Sequence, residues 1–181
     1  MAQNTLEKTM ARMSAIWGPL TSELVAAAQA EIEALAHTSP DEPWLAELYR
    51  DQPPSRELYR DAESGFVLLA HFETAALYRP PHDHGRSWVI YAVQQGESEM
   101  GAYGRVEGED GKTRLVKRNA TLVRPGQAQV YLPGDIHDTL CVSGPALLFR
   151  FTERDLKKED AVDKKVTRYA QRDGIWVPGA P

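Results

Sequence analysis

The chain has 181 residues, of which 42% are hydrophobic and 26% charged, and a formal net charge of −5 at pH 7. These values are typical of one globular domain, and the acidic balance gives no electrostatic case for binding nucleic acid or an anionic membrane. The single cysteine, Cys141, excludes an internal disulfide framework and a cysteine-rich zinc site. The first residues lack a signal-peptide pattern and no apolar run could span a bilayer, so we expect a reducing, cytoplasmic setting.

Helical periodicity dominates the N-terminal third of the chain. Apolar residues recur at helical spacing over Thr5–His37, and Gly18-Pro19 divides this stretch into two helices. Thr21 or Ser22 is expected to cap the second helix, and a short third helix is predicted between two proline-containing breaks. Residues 1–53 are therefore predicted to form a helical extension packed on the rest of the chain.

The remainder, residues 54–181, changes to short β-prone runs separated by glycine and proline turns. The predicted runs are Phe66–Phe72, Leu77–Tyr78, Trp88–Val93, Met100–Val106, Leu115–Val123, Ala128–Leu132 and Leu147–Phe151. Many short strands at this spacing predict a sandwich or barrel. Gly96 is interpreted as a turn and Glu109–Lys112 as a hairpin tip. Glu153–Lys165 is predicted to form a helix with a solvated face, and Gly174–Pro178 a last strand or a tail.

Three of the five histidines lie in two short motifs. His82 and His84 are two residues apart in an extended segment, so both imidazoles can project from one face and reach one ion. His137 follows the turn residues Pro133-Gly134. These three residues are the predicted metal ligands. Asp83 points to the opposite face and is expected to hydrogen-bond nearby backbone rather than to bind the metal.

His82-Asp83-His84 and Pro133-Gly134-Asp135-Ile136-His137 together resemble the two motifs of the cupin superfamily. The resemblance covers about Arg56 to Thr152 and implies a mainly β fold, a double-stranded β-helix or jelly-roll barrel with the metal inside. Most cupins also have a glutamate four or five residues after the second histidine. Here those positions hold Trp88 and Val89, which cannot bind a hard cation.

A triad of histidines without glutamate is similar to that of the thiol dioxygenases, relatives of cysteine dioxygenase. The segment that begins at Arg56 resembles the Arg-x-Leu stretch before the barrel in that family, which implies that Arg56 binds a substrate carboxylate. The chain departs from the family in two places. Val89 replaces a cysteine of the animal members, and Leu147–Thr152 lacks the family's Ser-x-His-x-Tyr run.

Several other residues are candidates for the site. His71 and Glu73 share one face of a predicted strand, and they could form a proton relay or, in the case of Glu73, supply the missing carboxylate; if that face points outward, they are surface residues. Arg150 would hold a substrate carboxylate if it points inward. Tyr131 is expected in the pocket wall against the substrate, and Tyr91 is expected to face away from the histidines.

The resemblance implies a dioxygenase that uses Fe(II), with Ni, Mn or Zn as alternative metals. Its partners would be O2 and a small thiol carboxylate, which is oxidised to a sulfinate, and two chains could pair as a homodimer. Two further hypotheses stay open. One is a cupin enzyme of another kind, acting on an enol or diketone or as a metal-dependent isomerase. The other is a cupin that binds a metal or small molecule without turnover.

Overall fold

A computed structural model describes residues 3–179 of the chain. Four helices and nine strands follow one another along it. The helices are α1, Thr5–Ile16; α2, Ser22–Ala36; α3, Pro43–Asp51; and α4, Leu156–Ala161. The strands are β1, Arg56–Arg60; β2, Val67–Glu73; β3, Tyr78–His82; β4, Val89–Glu107; β5, Thr113–Val123; β6, Ala128–Tyr131; β7, Ile136–Thr152; β8, Tyr169–Arg172; and β9, Ile175–Pro178.

The N-terminal helices begin at capping residues, of which Thr21 is expected from the sequence. The backbone N–H of Glu7 donates to the Asn4 side chain, and the Glu7 carboxylate accepts from the Asn4 backbone N–H, which closes a capping box on α1. Thr21 accepts from the backbone N–H of Leu24 at the start of α2. Pro43 occupies the first turn of α3, where its missing N–H costs nothing.

The strands form one antiparallel seven-stranded sheet with the central order β1-β2-β7-β4-β5, while β3 pairs with β7 and β6 pairs with β4. β4 and β7 are long, at 19 and 17 residues; β4 pairs with β5, β6 and β7, and β7 pairs with β2, β3 and β4. β8 and β9 form a separate hairpin near the C-terminus. The predicted mainly β, jelly-roll fold class is confirmed.

The sheet has a buried face on each side. One face packs under the helices, in a cluster that includes Phe149, Phe151 and Trp88 together with the buried residues of α1 to α3. The alternate residues of the same strands, among them Tyr91 and Leu148, point into the barrel and form a second cluster. Since neighbouring residues of a strand point to opposite faces, each of these strands serves both the helix layer and the barrel interior.

Three local expectations differ from the structure: the turn at Gly96, and the length and the solvent exposure of the helix predicted over Glu153–Lys165. Gly96 does not end a strand but lies within β4 at a bulge with φ +78°, where a Cβ would come within 2.7 Å of the Ser143 carbonyl oxygen. The two runs on either side of it are therefore one strand. The predicted helix over Glu153–Lys165 is limited to α4, and its face is not solvated throughout, because Glu159 is buried.

Among residues 3–179, no helix combines the length and the apolar character that crossing a membrane requires.

Candidate metal centre and its cavity

His82, His84 and His137 converge in the barrel. Each offers a donor atom, and these atoms all lie within 4.8 Å of one another. The ring centroids are 4.6 Å apart for His82 and His137, 5.0 Å for His84 and His137, and 5.1 Å for His82 and His84. The pairing of β3 with β7 explains the first contact, because His82 and His137 are direct partners in the register. β3 ends at His82, so His84 reaches the group from the following turn.

The ring nitrogens of this triad fit a metal ion. His137 is fully buried, yet among residues 3–179 neither of its nitrogens has a hydrogen-bond partner, and Nδ1 of His84 has none either. His82 Nδ1 donates to the Pro80 carbonyl oxygen at 2.9 Å, which leaves the Nε2 lone pair free. Burial lowers the pKa of all three imidazoles, so they are neutral donors at pH 7. Buried polar atoms without partners are costly, and a metal ion would satisfy them.

The donor group contains no carboxylate among residues 3–179. Trp88 and Val89, at the positions where most cupins would have a glutamate, are both buried in apolar clusters. Glu73 lies in the adjoining cavity, but its carboxylate is outside the donor group. Within residues 3–179, the donor group thus offers an ion three neutral ligands and no anionic one.

Two tyrosines contact the triad. The hydroxyl of Tyr91 lies 3.3 Å from Nε2 of His84, so Tyr91 faces the histidines rather than away from them. The turn at Gly85, with φ +63°, interrupts the strand alternation on which the opposite expectation was based. Tyr131 stacks on His137 with centroids 3.9 Å apart, and it borders a separate cavity of about 210 Å³ rather than the one beside His82 and His84. The structure therefore places Tyr131 behind a triad residue, not in the wall that would contact a substrate.

The histidine-bearing turn is held by residues that are far away in the sequence. Asp83 accepts hydrogen bonds from the backbone N–H groups of Gly85 and Thr167 and pairs with Arg105 at 3.0 Å, as expected for a residue that is not a ligand. The buried Glu159 of α4 accepts three hydrogen bonds from Arg86, one from its backbone and two from its guanidinium. The C-terminal segment thus fixes the turn that carries His84.

We expect the Glu159→Gln variant to be less stable at pH 7 by about 1–2 kcal/mol, the size of a lost charge-assisted hydrogen bond. The bonds from Arg86 lower the pKa of Glu159 below its ordinary value of 4.5. A lowered folded-state pKa gives stability that is complete above 4.5 and is lost as the pH falls through the lower, folded-state value. Urea titrations from pH 7 to pH 3 should therefore show the two proteins converging at acid pH, whereas Glu109→Gln, at an exposed hairpin tip, should match the wild type throughout.

A cavity of about 540 Å³ opens beside His82 and His84. Its lining comes from β2, β3, β4 and β7 on one side and from the C-terminal segment on the other. The C-terminal contribution was not predicted from the sequence; it consists of Leu156, Lys157, Asp160, Val166, Arg168 and Tyr169. Its only sequence signal was the charged stretch that begins at Glu153, and nothing in that stretch indicates that it folds back over the barrel.

His71, Glu73 and Arg150 all line this cavity, so their strands present them to the barrel interior. Burial, followed by the nearby charge of Arg150, lowers the pKa of His71 to about 3. His71 is therefore neutral at pH 7 and can accept a hydrogen bond but is a poor proton relay. The Nε atom of Arg150 is buried without a hydrogen-bond partner, and no ion pair joins Arg150 to a described carboxylate. Glu73 pairs with Arg79 at 3.0 Å.

Arg56 lies outside this cavity. Its partner in the register of β1 and β2 is Ala70, which belongs to the helix-facing cluster, so Arg56 is directed towards the helices. There its guanidinium pairs with Glu47 and Asp51 of α3, at 3.1 and 2.9 Å. The role in binding a substrate carboxylate that the family resemblance implied for Arg56 therefore has no support in its position.

We expect Arg56→Gln to leave the affinity for a carboxylate ligand within about twofold of the wild type and to change stability little, since its ion pairs are partly exposed. Arg150→Gln should weaken the same affinity about 10- to 100-fold, the value of a charge-assisted hydrogen bond. Calorimetry with 3-mercaptopropionate and the Fe(II)-loaded protein, without O2, measures both. A large loss with Arg56→Gln and none with Arg150→Gln would reverse the two assignments.

No protein-family model and no curated protein matches the chain. Several solved structures do match it. KdgF from Halomonas sp. is 17% identical with a TM-score of 0.43, over 54% of this chain and 74% of that one. The cupin domain of Schizosaccharomyces pombe Cnp3 is 12% identical with a TM-score of 0.44, over 59% and 69%. An oxalate oxidase in complex with the substrate analogue glycolate is 21% identical with a TM-score of 0.40, over 55% and 50%, so the match spans half of the oxidase chain.

At these identities and TM-scores the likeness indicates nothing about activity. The three-histidine group is suited to a metal ion inside the barrel.

Proposed function

We propose that this protein is a non-heme Fe(II)-dependent dioxygenase that oxidises a small thiol carboxylate to a sulfinate. One observation carries the proposal, namely that three imidazoles converge without a carboxylate among them. Three neutral ligands leave the full charge of a divalent ion to be balanced by what binds next to it. A thiolate is an anionic ligand that meets this need, and its formation is favoured beside a cation.

His82, His84 and His137 would hold the ion through ring nitrogens that have no other partner. Fe(II) in such a site supplies open coordination positions and the electron-transfer chemistry that lets O2 react with a thiolate. The overall reaction, RS⁻ + O2 → RSO2⁻, is balanced without another reductant. The O–O bond breaks, two S–O bonds form, and the sulfur provides the four electrons that O2 accepts.

The protein's own groups would orient the substrate. Arg150 has a buried, unpaired Nε–H in the cavity and a guanidinium suited to a carboxylate. Its direct partner in the register is Tyr91, whose hydroxyl lies beside His84, so a carboxylate on Arg150 would be next to the metal ligands. Leu148, Leu156 and Val166 supply apolar walls that limit the access of water.

Oxygen uptake by the iron-loaded protein tests the proposal. Consumption is expected with cysteine or 3-mercaptopropionate and should be weaker with cysteamine, which has no carboxylate for Arg150. Mass spectrometry should find a sulfinate that carries both atoms of ¹⁸O2. If the iron-loaded protein consumes no O2 with any of the three thiols, the dioxygenase assignment fails.

A second candidate is a cupin enzyme of another kind, acting on an enol or diketone or as an isomerase. The position of Arg56 outside the cavity favours it, because the carboxylate-binding arginine of the thiol dioxygenases would then have no equivalent at that place. Nickel, manganese or zinc in protein purified from its natural host would support this candidate. A ligand that binds equally to the reduced and oxidised iron forms without turnover would instead indicate a binding protein.

The proposed chemistry suits a reducing, cytoplasmic compartment, because Fe(II) and free thiols persist there. The buried and unpaired Cys141 is compatible with that expectation.

A further inference from the structure

Apart from the triad, three buried polar atoms of the cavity lining have no hydrogen-bond partner among residues 3–179: Nε2 of His71, Oε2 of Glu73 and Nε of Arg150. They come from neighbouring strands, because β2 and β7 pair with Leu69 opposite Arg150 and Glu73 opposite Ala146. Alternate residues of a strand share a face, so all three side chains belong to the same wall. Unpaired buried polar groups are rare in folded proteins, and three in one wall indicate a ligand that pairs with them.

The three atoms differ in their hydrogen-bonding roles. His71 Nδ1 donates to the Pro54 carbonyl oxygen at 3.2 Å, so Nε2 carries the lone pair and accepts. Glu73 uses Oε1 to accept from Arg79 at 3.0 Å, which leaves Oε2 as a second acceptor. Arg150 Nε–H is a donor. The wall thus offers a cationic donor at one end and two acceptors further along, one of them on a carboxylate.

The two ends are far apart. Glu73 is four residues along β2 from Leu69, the partner of Arg150, and four residues of antiparallel strand span about 13–14 Å. The ion pair with Arg79 holds the Glu73 side chain, which limits how far it can lean towards Arg150. In an α-amino acid, three bonds of about 1.2–1.5 Å separate the nitrogen from a carboxylate oxygen, so these atoms are at most about 4 Å apart. An α-amino carboxylate is therefore too short to reach both ends.

Arg150 lies at the metal end of the wall. It is the register partner of Tyr91, which contacts His84. Glu73 lies at the other end, since its carbonyl oxygen is 3.6 Å from Sγ of Cys141, a residue four positions along β7 from His137. The apolar side chain of Leu148 lies between the two ends, opposite His71.

The cavity volume agrees with a longer ligand. About 540 Å³ is within the range of about 300–1,000 Å³ that holds drug-sized molecules, and a thiol acid of three carbons would leave most of it unfilled.

We infer that Glu73 and His71 form a subsite for a cationic amine at the far end of an extended carboxylate ligand. Arg150 binds the carboxylate beside the metal ligands, an alkyl arm passes over Leu148, and the ammonium group donates to Oε2 of Glu73, with His71 as a second acceptor. This inference deepens the proposed function and rests on it for the thiol. The substrate class becomes a thiol carboxylate that carries an amine several bonds from its carboxylate.

Ligands without sulfur test the subsite separately from turnover. Calorimetry with the Fe(II)-loaded protein, without O2, compares ω-amino acids of two to six carbons with the matched unsubstituted carboxylic acids. The amine is expected to raise affinity about tenfold or more in the longer members, as a charge-assisted hydrogen bond should, and to give no gain in glycine or β-alanine. A gain that is greatest for the shortest amino acids would overturn the inference.

Glu73→Gln keeps the shape of the side chain and an oxygen that can accept from Arg79. In this variant the amine should no longer raise the affinity of the ligand. Glu99→Gln, a partly exposed residue of β4 outside the cavity, should keep the wild-type gain. The inference fails if the amine does not raise affinity in the wild type, or if it still does so in Glu73→Gln. Solvent alone would then satisfy the unpaired atoms of the cavity wall. If the amine gain is found but no thiol is oxidised, the dioxygenase proposal fails while the amine subsite stands.

Discussion

Replacing His137 with alanine is expected to lower metal affinity by about 100-fold or more. Loss of a residue that only hydrogen-bonds to a metal ligand already costs up to about 100-fold, and His137 is itself a proposed ligand. His137 is the most enclosed member of the triad, and both of its ring nitrogens lack a partner in the described part of the chain. Metal content after dialysis, measured by emission spectroscopy, should fall from near one ion per chain to near none. Oxygen uptake with a thiol should fall in parallel.

Thermal unfolding separates loss of metal from loss of fold. A ligand that binds only the folded state raises the unfolding temperature, so added Fe(II) should stabilise the wild type and leave His137→Ala unchanged. His37→Ala is the matched control, because His37 follows α2 at an exposed position away from the triad. If His137→Ala retains an ion with wild-type affinity, these three residues do not form the metal site.

Replacing Phe149 with alanine is expected to destabilise the protein by about 3–5 kcal/mol, the usual cost of removing a large aromatic side chain from a core. Phe149 is fully buried in β7 and packs against Trp44 of α3 with ring centroids 5.9 Å apart. It lies between Leu148 and Arg150, which point to the opposite face, into the cavity. The helix layer thus supports the strand that carries Arg150.

Urea denaturation measures this effect, and Val142→Ala in the same strand is the control. Val142 is 47% exposed, so its truncation should change the free energy of unfolding by no more than about 0.5 kcal/mol. A loss below about 1.5 kcal/mol for Phe149→Ala would contradict the packing of the helices on this face of the sheet.

The features that the sequence predicts correctly have short-range causes. The helix cap at Thr21 satisfies a backbone group within a few residues, and the hairpin tip needs only Asp110-Gly111. The convergence of the three histidines could also be anticipated, because each motif combines a turn with a strand. These signals lie within short stretches of the sequence, although the three histidines come together only in the folded chain.

The orientation of His71, Glu73 and Arg56 could not be predicted, and the reason is physical. Both faces of β2 are buried, one under the helices and the other in the barrel, so hydrophobic alternation cannot tell inside from outside. The family resemblance pointed to Arg56, whose register partner Ala70 lies on the helix side. Only the three-dimensional pairing decides which arginine reaches the cavity.

The hydrogen bonds between Thr167 and the turn that carries His84 have a consequence for biosynthesis. The backbone N–H of Asp83 donates to the Thr167 carbonyl oxygen, the Thr167 N–H donates to the Asp83 carboxylate, and Arg86 is held by Glu159. Part of the support of the turn therefore comes from residues made some 70 to 85 positions later. A chain growing on the ribosome can pair β3 with β7 before those supports exist. We therefore expect iron capture to be a late, post-translational event, and nascent chains stalled before Thr167 to retain little metal.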